Sequence, residues 1–140
     1  MSGEQHPMRI AGYAALFDIA DGAGDTIRKG AFSRTLERHK SPVVTPVPLY
    51  WQHRPDQRIG WVEEASEDER GLRIIARIDN PHGRAAAALT RREISGLSFG
   101  YRARGYRRLT NGRLLEEIDL IEVSLVTHPL QPGARVHLLA

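Results

Sequence analysis

The sequence predicts an α+β fold in which most strands are antiparallel and about two helices pack beside them. Short apolar segments recur between turn-rich stretches, as they do in antiparallel sheets. A single run of four successive alanines marks the clearest helix. Strands and helices do not alternate along the chain, so a parallel βαβ series is not expected. With 140 residues, the chain predicts one domain over residues 1–140.

The first three elements are a strand, a turn and a short helix. Met8 to Phe17 is mostly apolar and predicts the strand, and the turn follows at Asp18 to Asp25, which contains two glycines. Phe32 and Leu36 lie four residues apart among polar residues. This spacing predicts a helix over Ala31 to His39.

The middle of the chain predicts a loop and three strands. Three prolines make Ser41 to Pro48 a loop. Leu49 to His53 then predicts a brief strand, which Pro55 is expected to stop. Two further strands are expected around an acidic turn; the strands are Ile59 to Val62 and Leu72 to Ile78, and the turn is Glu63 to Gly71.

The last third predicts the second helix and a long hairpin. Pro81 to Arg92 carries the four alanines, begins with a proline that suits a first helical turn, and follows Asn80, which can cap it. Ile94 to Tyr106 alternates as a strand does. Asn111-Gly112 predicts a hairpin turn before the final strand, Leu114 to Val126.

Composition excludes several classes of function. The chain has no cysteine, so disulfides, cysteine zinc sites and thiol catalysis are excluded. No apolar run approaches the roughly 18–20 residues that cross a bilayer, and the first residues lack the apolar segment of a secretory signal. These features predict a small soluble intracellular domain. No histidine pair has metal-site spacing and no Walker-type lysine loop is present, so neither a metal nor a cofactor is expected.

The positive charge is concentrated in one segment. The net charge is +3, and Arg91 to Arg113 holds seven arginines against one acid, Glu93. Such a segment can bind phosphate or an acidic peptide. Two acidic stretches elsewhere in the chain can instead balance it across a solvated strand edge. We favour the second interpretation, so nucleic-acid binding through this segment is the lesser hypothesis.

A serine between two glycines is the clearest candidate nucleophile. Gly96-Leu97-Ser98-Phe99-Gly100 matches the G-x-S-x-G string of α/β-hydrolases, but a strand continues past Ser98 and the chain is too short for their parallel sheet. In a strand, Ser98 and Gly100 face away from the apolar side chains. The glycines would then let another backbone approach the hydroxyl closely. From this string alone, an ordinary strand serine is the favoured interpretation.

A nucleophilic serine needs a base, and six histidines are available. His53 and His128 each end a predicted strand, where rigid positioning and access coexist. The residues alone leave the base role divided between these two, with a purely structural histidine still favoured over either. The other histidines lie near the termini or at helix ends; they are His6, His39, His82 and His137.

A third group should orient the imidazole, and Glu122 is the candidate. Strand alternation places Glu122 on one face with Leu120, Ser124 and Val126, whereas Asp119 lies on the opposite face with Ile121. An unpaired carboxylate buried there would cost several kcal/mol. Glu122 is therefore expected either to have a partner or to lie at an exposed edge, and the two interpretations are about even.

Read in order, these residues resemble the prohead (capsid maturation) serine protease family of tailed bacteriophages, the HK97 type. The resemblance runs from about Ile10 to Val136 and rests on the order and separation of short strings. Similar proteases occur in defective prophages and gene transfer agents. The strings are Gly12-Tyr13-Ala14 with Phe17, Asp25 to Phe32, Leu49 to His53, Ile59-Gly60, Gly71-Leu72, Gly96 to Tyr101, and Glu122 to Val126 with Pro129.

The resemblance implies a fold related to the herpesvirus assembly proteases, with a β-barrel-like core. It implies Ser98 as nucleophile and His53 as general base. For the third member it implies an acidic residue, which Glu122 matches best, with His128 in reserve. Backbone N–H groups should bind the oxyanion, and the glycine-containing stretch Tyr101 to Tyr106 is a candidate loop for them.

The function implied by the resemblance is cleavage of the major capsid protein or a scaffold protein. The enzyme would be a serine endopeptidase acting inside the assembling prohead, in the host cytoplasm. A homodimer is a further expectation, by analogy with the herpesvirus enzymes, and no membrane partner is expected. The main alternative is a capsid-assembly or scaffold-binding module without hydrolysis. The complete set of Ser98, His53 and an acid argues against that alternative.

Overall fold

The computed structural model describes residues 8–139, which form one curled sheet with two short helices. Neither of these helices has the length and apolar run that a membrane crossing needs. The helices are α1 (Ser33–Arg38) and α2 (Arg84–Thr90). The strands of the described residues are β1 (Met8–Leu16), β2 (Asp25–Ile27), β3 (Pro48–Trp51), β4 (Arg54–Glu67), β5 (Gly71–Ile78), β6 (Gly96–Leu109), β7 (Gly112–Val126) and β8 (Val136–Leu138).

The strands follow the order β2-β7-β3-β4-β5-β1-β8, and β6 pairs with β7 outside this path. Most pairs are antiparallel, but β2 and β3 run parallel to β7. The sheet curls into a half-barrel, so that the start of β6 meets the segment before β8. The Leu97 N–H donates to the Ala134 carbonyl at 2.8 Å, and the Val136 N–H donates to the Ser95 carbonyl at 2.9 Å. The predicted α+β class is confirmed.

The core lies on the sheet face that carries Leu97, Phe99 and Leu125, all of which are buried. Phe99 packs edge-on against Phe32, with ring centroids 5.6 Å apart, and stacks on Tyr101 at 4.9 Å. Burying a side chain of this size contributes roughly 1.5–3 kcal/mol. Because strand side chains alternate, the remaining residues of this part of β6 and β7 face away from the core.

The second helix is shorter than predicted, and Asn80 does not cap it. The helix α2 begins after Gly83, which provides no side-chain cap. The Asn80 side chain instead accepts the N–H of His82 at 3.0 Å, which closes a local turn. Asparagine closes such turns readily. Here its side-chain oxygen accepts a hydrogen bond within the turn and does not cap the helix that starts after it.

Several strand boundaries differ from the predicted ones. The strand β2 begins within the predicted turn, at Asp25, and β8 was not predicted. The strand β4 extends in both directions, so Pro55 lies inside it instead of ending a strand, and the acidic turn shrinks to residues 68–70. These segments carry polar side chains on exposed faces, so their sequences do not alternate in the way that predicts a strand. The predicted β6–β7 hairpin is confirmed, but its two-residue loop is Thr110-Asn111 rather than Asn111-Gly112, because Gly112 pairs with Leu109.

A buried carboxylate joins β2 to the long hairpin. Asp25 accepts two hydrogen bonds from the Arg113 guanidinium, at 2.9 and 2.8 Å, and one from the Tyr101 hydroxyl at 2.9 Å. The bonds from Arg113 hold the pKa of Asp25 below its ordinary value, against the opposing effect of burial. Burial and the bond to Asp25 raise the pKa of Tyr101 to about 12. This cluster fixes the edge of the sheet beside the hairpin.

Asp25→Asn is expected to lower the free energy of unfolding at pH 7 by about 1.5–3 kcal/mol, because it removes charge-assisted hydrogen bonds at a buried site. The folded pKa of Asp25 is lowered, so its contribution exists above the unfolded pKa and disappears as the pH falls through the folded pKa. Urea denaturation from pH 7 down to pH 3 measures the difference.

Glu37→Gln is the matched control, since its ion pair with Lys40 is exposed. It should change stability by less than about 0.5 kcal/mol at any pH. Equal effects of the two substitutions would contradict the role given to Asp25.

Candidate active site

The β6–β7 ladder brings two predicted site residues, Ser98 and Glu122, onto one strand face. Ser98 lies opposite Ser124, and Gly100 lies opposite Glu122. All four positions are on the face turned away from the core. Directly opposed Cβ atoms in an antiparallel pair are roughly 4.5–5.5 Å apart. Ser98 is therefore a direct neighbour of Ser124, and Glu122 lies two pairs further along the ladder, at the next position on the same face.

A β-bulge at Ile121 decides which face the residues before Glu122 occupy. Glu122 and Leu120 pair with consecutive residues of β6, so Ile121 has no pairing partner on that strand. Leu120 consequently joins the core, whereas Ile121 is 50% exposed. The prediction that Leu120 shares the face of Glu122, with Asp119 on the other face, is wrong. One extra residue reverses the alternation beyond it.

His53 lies in a tight turn between β3 and β4 rather than at the end of a strand. Trp51 pairs with Arg54, which leaves Gln52 and His53 as a two-residue loop. Their φ angles are +51° and +61°. Positive φ at both positions is typical of a type I′ turn, which normally uses Asn-Gly. For larger residues this conformation costs about 1–3 kcal/mol each and persists only where neighbours hold it.

Hydrogen bonds to β7 and the segment after it hold this turn. The Gln52 N–H donates to the Leu125 carbonyl at 2.9 Å. The Gln52 side chain donates to the Thr127 hydroxyl at 2.7 Å and accepts the Thr127 N–H at 3.1 Å. The His53 N–H donates to the Ser124 hydroxyl at 3.1 Å. The turn is thus fixed directly over the strand that carries Glu122.

The imidazole and the carboxylate are in direct contact. Nδ1 of His53 donates to Oε1 of Glu122 at 2.5 Å, and the Ser124 hydroxyl donates to Oε2 at 2.6 Å. The Glu122 side chain is 9% exposed and that of His53 is 43% exposed. The hydrogen bond to Glu122 raises the pKa of His53, and burial opposes this effect. With Nδ1 donating to the carboxylate, Nε2 is the nitrogen free to accept a proton.

The Ser98 hydroxyl lies beside this pair but is not bonded to it. The residue is 3% exposed. Within residues 8–139, Nδ1 of His39 is the one fully buried side-chain nitrogen or oxygen atom that has no hydrogen-bond partner. The Ser98 oxygen also has no partner, so it is not fully buried and keeps some contact with solvent. No hydrogen bond links it to His53 among these residues. In free enzymes such bonds are often long and tighten only when substrate binds.

The remaining predicted residues lie outside this cluster. His128 is exposed just after β7 and, in the described part of the chain, makes no hydrogen bond to the site residues. His6 lies outside the described residues. Tyr101 to Tyr106 lies within β6 and pairs with β7, so the prediction of an oxyanion loop there is wrong. The stretch stays paired with β7, although the register shifts on both sides of Gly105.

Two residues of the cluster, Gln52 and Ser124, were not assigned a role from the sequence. For Ser124 a signal was available, because its spacing of two residues from Glu122 places both on one strand face. For Gln52 none was available, since its bonds depend on the parallel pairing of β3 with β7.

The glycines beside Ser98 make room for neighbours within the fold. A Cβ on Gly100 would lie 2.6 Å from Oε1 of Glu122, and one on Gly96 would lie 2.7 Å from the Val126 carbonyl oxygen. Only a glycine at position 100 therefore leaves the Glu122 carboxylate in reach of His53. The expectation that these glycines admit another backbone is replaced by this close packing.

The arginine-rich segment is largely balanced by acids. Four of its seven arginines form ion pairs, which supports the interpretation of a solvated strand edge. These pairs are Arg91–Glu93 at 3.9 Å, Arg104–Asp119 at 2.5 Å, Arg107–Glu116 at 3.2 Å and Arg113–Asp25 at 2.8 Å.

The whole chain, residues 1–140, matches the family model described as caudovirus prohead serine protease. The prohead protease of Enterobacteria phage HK97 is 28% identical over 132 residues, which cover 89% of this chain and 57% of that protein. The chain therefore spans little more than half the length of this curated relative.

Solved structures share the fold. The capsid assembly protease of bacteriophage T4 has a TM-score of 0.69 at 16% identity, covering 92% of this chain and 87% of that one. The protease of Kaposi's sarcoma herpesvirus, in complex with a hexapeptide phosphonate inhibitor, gives 0.64 at 13%, covering 96% and 66%. Varicella-zoster virus protease gives 0.61 at 18%, covering 95% and 64%. The predicted relation to the herpesvirus protease fold is confirmed.

Glu122→Gln is expected to lower the pKa of His53, because the amide removes the charge and the acceptor that raise it. A raised folded pKa stabilises the protein below the unfolded histidine pKa of about 6.5, and this stability disappears as the pH rises through the folded value. The loss in melting temperature should therefore be largest near about pH 6 and shrink in alkali. NMR titration of the His53 ring and thermal denaturation measure both effects.

Glu116→Gln, on the same strand but outside the cluster, is the control and should leave the His53 titration unchanged. An unchanged His53 pKa in Glu122→Gln would mean that the contact in the structure does not exist in solution.

Proposed function

Because the chain belongs to the caudovirus prohead serine protease family, we propose that it is a serine endopeptidase with Ser98 as nucleophile and His53 as general base. Glu122 orients the base. The observation that carries the proposal is the 2.5 Å contact between His53 and Glu122, next to Ser98 on the same strand face. An imidazole bonded to a carboxylate beside a serine is the arrangement that nucleophilic serine catalysis requires.

The first half of the reaction acylates Ser98. Nε2 of His53 accepts the hydroxyl proton while the Ser98 oxygen attacks the scissile carbonyl carbon. The tetrahedral intermediate collapses, the C–N bond breaks, and His53 donates its proton to the leaving amine. The new N-terminus departs and the N-terminal part of the substrate stays bound to Ser98 as an ester.

The second half regenerates the enzyme. Water loses a proton to Nε2 of His53 and attacks the ester carbonyl. The C–O bond to Ser98 then breaks, the serine oxygen regains the proton and the carboxylic acid product leaves. Throughout both halves, the Glu122 carboxylate accepts the Nδ1 proton. It therefore keeps Nε2 as the reactive nitrogen and stabilises the imidazolium that forms.

Ser98 suits the nucleophile's role better than its neighbour Ser124. The Ser124 side chain is fully enclosed, and its hydroxyl already donates to Glu122 and accepts from the His53 backbone. A nucleophile must reach a substrate carbonyl, which an enclosed and doubly bonded hydroxyl cannot do. Ser98 lacks these bonds.

The proposed substrates are the major capsid protein, its scaffolding segment or a separate scaffold protein. The names of two relatives support this class, a prohead protease and a capsid assembly protease. Cleavage would take place inside the assembling prohead in the host cytoplasm, where enclosure raises the local substrate concentration. A homodimer is part of the proposal, by analogy with the herpesvirus enzymes.

Ser98→Ala is expected to abolish processing of the capsid protein, because alanine has no oxygen to form the acyl-enzyme. Wild type and variant are each co-expressed with the neighbouring capsid gene, and the length of the capsid protein is measured by intact mass spectrometry. Processing should fall by about 10⁴-fold or more, as it does when a serine nucleophile is removed.

Ser66→Ala, a serine of β4 on another part of the sheet, is the matched control and should process normally. Identical full-length capsid protein with wild type and Ser98→Ala would favour a non-hydrolytic assembly module. Salt-dependent DNA binding without any cleavage would favour the nucleic-acid alternative.

A further inference from the structure

Ser124 has no part in the reaction steps, yet it is the most enclosed polar side chain on the catalytic face. Its exposure is 0%. Its single hydroxyl makes two bonds to two parts of the site. It donates to Oε2 of Glu122 at 2.6 Å and accepts the backbone N–H of His53 at 3.1 Å. One oxygen atom therefore links the carboxylate to the turn that carries the imidazole.

We propose that Ser124 is a positioning residue that fixes the Glu122 carboxylate and the His53 turn relative to each other. This inference rests on the proposed function, because the role given to Ser124 is to hold the His53 imidazole in the direction of Ser98. Ser124 does not touch the substrate or the reacting atoms. It acts through Glu122 on the ring of His53 and through the His53 N–H on the backbone.

The bond to Glu122 controls the rotation of the carboxylate. The terminal torsion of a glutamate is broad, so a carboxylate held at one oxygen swings freely. The Ser124 donor holds Oε2, which leaves Oε1 aimed at Nδ1 of His53. The missing Cβ at Gly100 leaves this orientation unobstructed. The carboxylate is thus fixed from both oxygens.

The bond to the backbone controls the turn. His53 has a φ of +61°, a conformation that non-glycine residues keep only when their surroundings impose it. The Gln52 bonds hold the first turn residue, and the Ser124 hydroxyl is the acceptor that holds the second. Without this acceptor, the His53 backbone can relax away from β7 and carry the imidazole with it.

The chain provides a matched control in Thr35. Its hydroxyl is also buried and also accepts a backbone N–H, that of Leu120 in β7, at 3.1 Å. Thr35→Val leaves that N–H without its acceptor, outside the catalytic cluster. Comparing Ser124→Ala with Thr35→Val therefore separates a positioning role from the general effect of removing a buried hydroxyl.

The test measures kcat, KM and the His53 NMR titration in both variants. Ser124→Ala is expected to lower kcat about 10–100-fold, the range for a misplaced catalytic group. KM should be unchanged, and the pKa of His53 should move down toward the ordinary histidine value. Ser124→Thr keeps the hydroxyl and should restore both. Thr35→Val should lower only the melting temperature.

Wild-type kcat and an unshifted His53 titration in Ser124→Ala would overturn the proposal, as would equal losses in Thr35→Val. If Ser124→Ala does not fold, Ser124→Cys keeps the size of the side chain, replaces the hydroxyl with a weak donor and should change kcat and titration in the same direction. If neither the wild type nor any variant cleaves capsid protein, the proposed function is contradicted independently of the role of Ser124. The His53 titration then still decides whether Ser124 fixes the pair.

Discussion

The buried carboxylate of Glu122 is the constraint on which the rest of the site depends. An enclosed charge without partners would cost several kcal/mol, so the fold must supply partners on both oxygens. It does so with the Ser124 hydroxyl and with Nδ1 of His53. Glu122 and Ser124 share a strand face by regular alternation, and Gly100 leaves the space that the carboxylate occupies. The glycine at position 100 is thus explained by this charged group.

The sheet topology explains how distant segments reach this carboxylate. The strand β3 runs parallel to β7, so its last residues arrive beside Ser124 and Leu125, and the chain must then reverse at once to form β4. The reversal uses two residues with positive φ. Their strain is offset by hydrogen bonds to β7, and the result is a histidine held rigidly at the surface above a buried acid. Strained backbone of this kind is concentrated at functional sites.

Part of this arrangement could be predicted from the sequence. Alternation places Ser98 and Gly100 on one strand face. It places the apolar residues Leu97 and Phe99 on the other face, where the core is therefore expected. Alternation leaves open whether Glu122 is paired or exposed, because its partner His53 is 69 residues away in the chain. The bulge that reverses the face of Leu120 is not visible in a pattern of alternation. The turn at Gln52 and His53 carries no Asn-Gly signal, since tertiary bonds replace local preference. Asn80 failed as a cap for the opposite reason, because a local turn took its side chain first.

The central claim is that the His53–Glu122 pair activates Ser98, and the pH dependence of Ser98 labelling tests it most directly. A phosphonate that reacts with activated serines is incubated with the protein from about pH 5 to pH 9, and the labelled residue is identified by mass spectrometry. We expect labelling at Ser98, with a rate that rises with pH around the midpoint of the His53 NMR titration, because only neutral imidazole accepts the proton. Labelling at another residue, or a Ser98 rate with no inflection at the His53 midpoint, would contradict the account.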